Sequence, residues 1–432
     1  MQRKNFQIEA TQQFLNSSCG LLIDLPAGSG KSLISYDIIE ALGGPVLLCA
    51  PVNVVGQHLV EIPKFTTKIP VHYQGESIPF SANNIVLVSP YYLRKYLLQL
   101  CIAHFTLLIF DESHILKNRT SKTTRAAICV ARSQPWAKKL LMTATPSPEG
   151  IGDIQPQIEV ISEKTPLGTS AYFAKHFERK INCGTHWKTI YLNKDLIKKA
   201  AAPFIFKRDR KEIGLPPQTL RRRFLPMPTE LQTIYEDFTQ QCLTRIDNKM
   251  IFSASALKLL QICAGILIDT NMEEVHRLSD YKAKHVAEIV ATHSSGSVLI
   301  WGTFREELRV LSEIVPDSHL IYGGTTRKRA TQLIKDFKDQ KYKVLISHPA
   351  SIGIGISLEV ADLQICHSLT ASCALFEQMI SRTNRINQTK DVMRYELLYR
   401  GTHEDKLAKL VHRKKTSQRK LMEAITTCLR PH

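Results

Sequence analysis

The chain has 432 residues, 44% of them hydrophobic and 22% charged, which excludes a disordered, collagen-like or disulfide-stapled protein. At roughly 150 residues per domain the length implies two or three domains. Lysine and arginine number 57 against 39 aspartates and glutamates, a formal charge of +18, so a polyanion is the leading partner class, with a basic enzyme carrying a solvated cationic face as the alternative.

In chain order, the N-terminal Met1-Gln2-Arg3-Lys4-Asn5-Phe6 lacks the apolar core of a signal peptide, and no apolar run approaches about 18 residues. The expectation is a soluble, non-secreted chain without membrane contact. Short apolar runs follow at 20–25, 45–50, 84–89, 107–110 and 139–142, and a second series at 297–301, 319–321, 342–347, 363–367 and 394–399. Each is rich in Leu, Ile and Val, ends at a polar or Gly/Pro segment, and alternates with helical patterns. That is the pattern of parallel sheets covered by helices, here in two α/β lobes, with ligands gathering at the strands' carboxyl ends.

Between 146 and 291 the alternation weakens. Segments 231–245 and 255–267 read as helices of an insertion, and Leu215-Pro216-Pro217 reads as a linker. The expected lobes are 1–212 and 213–432, with residues 406–430 as a basic, amphipathic helical tail. Arg221-Arg222-Arg223 and the tail cluster Arg413-Lys414-Lys415 read as solvated segments or as phosphate contacts. Trp136, Trp187 and Trp301 read as packing residues. The ten cysteines include no Cys-x-x-Cys pair and read as reduced, mostly buried thiols of an intracellular protein without a zinc site.

Two stretches carry chemistry. Run 20–25 leads into Pro26-Ala27-Gly28-Ser29-Gly30-Lys31-Ser32 and then a helical pattern, the context of a phosphate loop. The Gly28-Ser29-Gly30 turn lets N–H groups curl around a phosphate, and the helix dipole adds positive potential. Lys31 reaches the β and γ phosphates, and the Ser32 hydroxyl faces Mg²⁺. The strict pattern has one more glycine where Leu25 stands. Run 107–110 ends in Asp111-Glu112. A strand-end aspartate holds Mg²⁺ in P-loop hydrolases, and Glu112 is placed to orient and deprotonate the attacking water. ATP and Mg²⁺ are the ligands these residues imply.

The motif order resembles that of superfamily 2 helicases and, within them, the SNF2-like translocases, over nearly the whole chain. Asp111-Glu112-Ser113-His114-Ile115-Leu116-Lys117-Asn118 is similar to the family's DEAH-type box with its trailing Lys-Asn. Phe6-Gln7 resembles the adenine-reading glutamine motif, and Leu141-Met142-Thr143-Ala144-Thr145-Pro146 the segment that couples ATP state to strand grip. Tyr322-Gly323-Gly324-Thr325, the stretch from Ser351 to Leu358 with Gly353 and Gly355, and Gln378 to Gln388 resemble second-lobe motifs.

The resemblance implies two RecA-like P-loop lobes. It implies that Gln7, Gly353 and Gly355 join the nucleotide site, and that His114, Thr143, Thr145 and Gln378 couple it to the nucleic-acid strand. Arg382 and Arg385, three apart and so on one helix face, would approach the γ-phosphate, Arg385 as the arginine finger. The implied activity is a nucleic-acid-dependent ATPase that moves a monomeric motor along double-stranded DNA through backbone contacts, remodelling or annealing it. A strand-separating DNA or RNA helicase and a non-catalytic nucleic-acid-binding scaffold are the alternatives. The P-loop and Thr-Ala-Thr depart from the usual SNF2 pattern, and His348-Pro349-Ala350-Ser351 before Gly353 is similar to the compact SNF2-like helicases of phages and bacteria. The expected compartment is therefore the cytoplasm, or the nucleus in a eukaryote.

Overall fold

The computed structural model describes residues 3–75, 81–148, 150–162, 164, 167–182, 187–215, 218–244, 249–269, 274–294, 296–352, 356–384, 388 and 390–412. The chain divides into two compact units, Met1–Leu215 and Pro216–His432.

The first unit runs α1 (Asn5–Asn16), β1 (Gly20–Asp24), α2 (Lys31–Leu42), β2 (Val46–Cys49), α3 (Val52–Phe65), β3 (Ile69–His72), β4 (Asn84–Val88), α4 (Pro90–Lys95), α5 (Leu97–Ile102) and β5 (Leu107–Asp111). It continues with α6 (Lys122–Ser133), β6 (Lys138–Thr143), α7 (Ile154–Ile161), α8 (Ser170–Phe177), β7 (Glu178–Asn182), β8 (Trp187–Tyr191), α9 (Lys194–Ala201) and β9 (Ile205–Lys207). Seven strands form one parallel sheet in the order β3-β4-β2-β5-β6-β1-β9. Every residue of β1, β2 and β5 is buried, as a parallel strand covered on both faces requires. Helices start where a side chain can satisfy an orphan N–H. Ser89, followed by Pro90, caps α4, and Ser121 caps α6.

The second unit runs β10 (Gln218–Leu225), α10 (Thr229–Thr244), α11 (Lys249–Cys263), β11 (Ile266–Asp269), β12 (Glu274–Arg277), α12 (Tyr281–Thr292), β13 (Ser297–Trp301), α13 (Arg305–Ile314) and β14 (Ser318–Ile321). Then come α14 (Arg327–Lys338), β15 (Val344–Ser347), β16 (Ala361–Cys366), α15 (Cys373–Ile380), β17 (Val392–Tyr399) and α16 (His403–His412). Its six-stranded parallel sheet has the order β10-β17-β16-β13-β15-β14. Successive side chains of a strand point to opposite faces, and the sheet has a core on each. Leu299, Trp301, Leu345 and Leu398 pack in one cluster, while Val298, Ile300, Ile346 and Leu397 pack in the other.

All ten apolar runs are strands, and two α/β units with parallel sheets are what the alternation foretells. Several details differ. The segment after residue 146 is not purely helical: it contains the hairpins β7–β8 and β11–β12 and the edge strands β9 and β10. Arg221, Arg222 and Arg223 lie within β10, and Arg222 Nε is 3.2 Å from the buried Glu396. Trp136 is not a packing residue, being 54% exposed and stacked on His104 at 5.1 Å. Trp301 is fully buried. Cys129 is exposed, whereas Cys49, Cys263 and Cys366 are buried. Of the expected tail, residues up to His412 belong to α16, whose Leu407, Ala408 and Val411 are buried. The rest of that tail, with Arg413, Lys414 and Lys415, lies outside the described residues, as does the side chain of Trp187.

Candidate active site

In the first sheet β5, β6 and β1 are adjacent, with Asp111 level with Met142 and Thr143 level with Asp24. The glycine loop after β1, the acidic segment after β5 and the Thr-Ala-Thr segment after β6 therefore leave the sheet at the same carboxyl edge. Topology alone brings together three stretches that are up to about 120 residues apart in sequence.

The loop is built for close backbone approach. Gly28 and Gly30 have φ of +84° and +78°, the left-handed region that glycine enters at no steric cost. A Cβ on Gly30 would stand 2.6 Å from Gln7 Nε2. Gln7 is only 3% exposed. Its Nε2 donates to Ser29 O at 3.0 Å and its Oε1 accepts from Lys4 N at 3.0 Å, so it braces the loop from α1. Lys31 opens α2 with its ammonium on Leu25 O (2.9 Å) and Pro26 O (3.2 Å). Ser32 follows, half-buried, on the same first turn. Ser29 is fully buried and its Oγ has no hydrogen-bond partner among the described residues. A buried hydroxyl left unpaired beside a helix N-terminus and a lysine fits a loop made for phosphate oxygens.

At the end of β5, Asp111 is buried. Its Oδ1 accepts from Glu112 N at 2.9 Å and its Oδ2 lies 3.1 Å from His58 Nε2. Burial pushes its carboxyl up, but His58, the Lys31 charge and the Glu112 N–H outweigh this and hold it below the usual carboxylate range. The Lys31 charge at the start of α2 acts on this carboxylate, and an ionised carboxylate is a hard oxygen donor of the kind Mg²⁺ takes.

Glu112 adopts a left-handed backbone with φ of 52°, strain of order 1–3 kcal/mol that surrounding contacts must hold. It begins a short 3-10 turn, Ser113–Leu116. His114 Nδ1 stands 3.2 Å from Glu112 Oε2 and 3.3 Å from Thr143 Oγ1, and Thr145 N donates to Thr143 Oγ1 at 3.1 Å. Glu112, His114, Thr143 and Thr145 thus form one connected string.

The second-unit candidates are placed within their own unit. Arg382 is 2% exposed, and its guanidinium donates to Ile356 O (3.2 Å) and Ile352 O (3.4 Å). Rather than standing in solvent, it joins Ile352 to Ile356. Gln378 is half-buried on α15, one turn earlier. Arg385, Gly353 and Gly355 lie outside the described residues.

Three participants escaped the sequence reading. His58, on α3, meets Asp111. Gln157, fully buried on α7, accepts from Ser113 Oγ (2.8 Å) and donates to Pro146 O (2.7 Å), joining the acidic segment to the Thr-Ala-Thr loop. Lys207 on β9 pairs with Asp24 at 2.8 Å. The only available signal was topological. A polar residue in the first turns of α3 follows β2, which neighbours β5, so it rises beside Asp111.

Residues 6–275 match the SNF2-related domain, and residues 281–387 match the helicase conserved C-terminal domain. The chain belongs to the SNF2-related family. Among its curated relatives, an ATP-dependent helicase of Mycoplasma genitalium is 23% identical, matching 94% of this chain and 40% of its own length. A putative ATP-dependent helicase/translocase of Bacillus subtilis is 21% identical over 93% of this SNF2-related chain and 46% of its own length, and a further ATP-dependent helicase of that organism is 24% identical, with 94% and 77% covered. The chain spans less than half the length of the first two. The Sulfolobus solfataricus SWI2/SNF2 ATPase core in complex with dsDNA is similar at a TM-score of 0.46 and 19% identity, covering 99% of this chain and 93% of that one. Among the described residues, no helix is long and apolar enough to cross a membrane.

Proposed function

We propose that this chain couples Mg²⁺-dependent ATP hydrolysis to movement along nucleic acid, with duplex DNA as the preferred track and remodelling or annealing as the outcome. The observation that carries this reading is the convergence of Lys31, Asp111 and Glu112 at one sheet edge with an unpaired buried hydroxyl, Ser29 Oγ, in the loop between two left-handed glycines. In the proposed cycle the loop N–H groups and Lys31 bind the phosphates, Gln7 fixes the loop near the base, and Glu112 orients and deprotonates water. Ser32 and Asp111 would hold Mg²⁺, which when bound neutralises phosphate charge. His114 and the two threonines carry the state of that site into the loop after β6. By resemblance, Arg382 and Arg385 are the guanidinium groups used in turnover.

The nucleic-acid side is supported in the second unit. Trp301, Ser347 and Ile321 are level across β13, β15 and β14, so the loops that follow them converge. They line a cavity of about 690 Å³ that includes Thr303, Arg305, Gly323, Thr325, His348 and Ser351. Hydroxyls, an arginine and a side-chain-free backbone suit phosphate and sugar rather than base edges. The net charge of +18 supplies the long-range attraction.

ATP turnover measured with duplex DNA, single-stranded DNA and RNA tests the proposal. The expected result is strongest stimulation by duplex, nearly independent of sequence, with binding that weakens steeply as salt rises. Equal turnover with and without any nucleic acid would overturn it, and preference for single strands with strand separation would favour the helicase reading. Gly30→Ala is expected to weaken ATP-analogue binding by about tenfold or more, because a left-handed non-glycine costs ~1–3 kcal/mol and its Cβ displaces Gln7. Equilibrium titration of a fluorescent analogue reads this directly.

A further inference from the structure

Asp111 is held by more than its own loop. His58 is 1% exposed and uses both ring nitrogens: Nε2 stands 3.1 Å from Asp111 Oδ2, and Nδ1 stands 2.8 Å from the Tyr36 hydroxyl. An ionised carboxylate only accepts, so Nε2 carries the proton of that contact. Tyr36 is itself fixed on three sides. Its ring stacks on Phe65 with centroids 5.8 Å apart, it meets the imidazole edge-on at 5.8 Å, and its hydroxyl lies 3.2 Å from Glu61 Oε2. Gln57 Nε2 holds the other oxygen of Glu61 at 2.7 Å.

We propose that His58 is a positioning residue that sets the Asp111 carboxylate for the hydrated Mg²⁺ of bound ATP, with Tyr36 setting His58 in turn. This rests on the reading of Asp111 given above. One oxygen of Asp111 takes the Glu112 N–H and the other takes His58. Each oxygen has two lone pairs, so one remains on each for the waters of a cation, with the carboxylate plane fixed. Without His58, Oδ2 is unanchored and the carboxylate can rotate about its side-chain bonds. Tyr36 sits four residues after Ser32 on α2, the helix that the phosphate loop opens. The relay therefore ties the phosphate-binding helix, α3 and the end of β5 into one unit. A second layer of hydrogen bonds of this kind sets the affinity of metal sites, and its loss typically lowers that affinity by about 10–100-fold.

The test uses the full chain and a fluorescent, non-hydrolysable ATP analogue, titrated at a series of Mg²⁺ concentrations and in EDTA. His58→Leu is expected to raise the Mg²⁺ concentration that half-maximally tightens binding by about tenfold or more, with affinity in EDTA kept within about twofold. His58→Gln, whose Nε2 can donate to the same oxygen, is expected to restore most of the loss. Tyr36→Phe removes one hydroxyl and is expected to shift the Mg²⁺ dependence the same way by a smaller factor. It serves as the deciding variant should the leucine protein fail to fold. A Mg²⁺ dependence unchanged in His58→Leu and Tyr36→Phe, or an equal loss of affinity with and without Mg²⁺, overturns the positioning role. Wild-type affinity that ignores Mg²⁺ overturns instead the functional reading on which it rests.

Discussion

Glu112→Gln is expected to lower nucleic-acid-stimulated ATP turnover by about 10²–10⁴-fold, the range associated with losing a positioned general base. The amide has nearly the shape of the carboxylate and keeps an acceptor toward His114, 3.2 Å from Glu112 Oε2. The left-handed backbone at position 112 is a property of the chain and its packing, so the turn Ser113–Leu116 should persist. What is lost is proton acceptance from water. Binding of an ATP analogue, which the proposed function assigns to Lys31, the glycine loop and Asp111, should change by no more than a few-fold. Steady-state turnover beside equilibrium binding separates the two effects, and unchanged turnover in this variant would falsify the assignment of Glu112 as the base.

The largest expected stability effect lies in the second unit. Lys282 on α12 and Glu404 on α16 are each 3% exposed and paired at 2.7 Å. The ammonium also donates to His367 O at 3.2 Å and lies 4.8 Å from the Tyr399 ring centroid. Glu404 accepts the Tyr399 N–H. Burial pushes the Glu404 carboxyl up, and the neighbouring lysine pulls it back only in part. Lys282→Met leaves that carboxylate buried with its main counter-charge gone. Breaking a buried pair in this way costs about 3–5 kcal/mol, which for a unit of this size lowers the melting temperature by roughly 6–20 °C. Adding Glu404→Leu should recover much of the loss, because two apolar side chains need no mutual compensation. Thermal unfolding of the single and double variants checks both statements. A single variant that melts with the wild type would show that the pair contributes nothing.

Several strands that the sequence announced share one physical property. β1, β2, β5, β13 and β15 are buried on both faces, so apart from Asp24, Asp111, Ser297 and Ser347 at their ends the run is apolar or glycine and stands out against the helices around it. β3, β9 and β10 did not stand out, because they sit at or beside sheet edges. Four of the eight side chains from Gln218 to Leu225 in β10 are exposed and charged or apolar without alternation, and the three consecutive arginines mask its pairing along β17. Trp136 was misjudged because residue size suggests burial, while exposure at 54% depends on what packs beside it.

The glycine loop and the acidic segment stood out because the proposed phosphate and cation binding needs backbone N–H groups, glycines and carboxylates in immediate succession. Sequence by itself therefore determined the fold class and the family. His58, Gln157 and the Asp24–Lys207 pair became visible only in three dimensions, since each is a single polar residue in an unremarkable helix or strand. What gives them a partner is the strand order β2-β5-β6-β1-β9, which sets α3 beside Asp111 and β9 beside Asp24. A chain's local pattern reports which faces must be buried. Only the packing of those faces decides which distant polar groups end up within hydrogen-bond reach of one another.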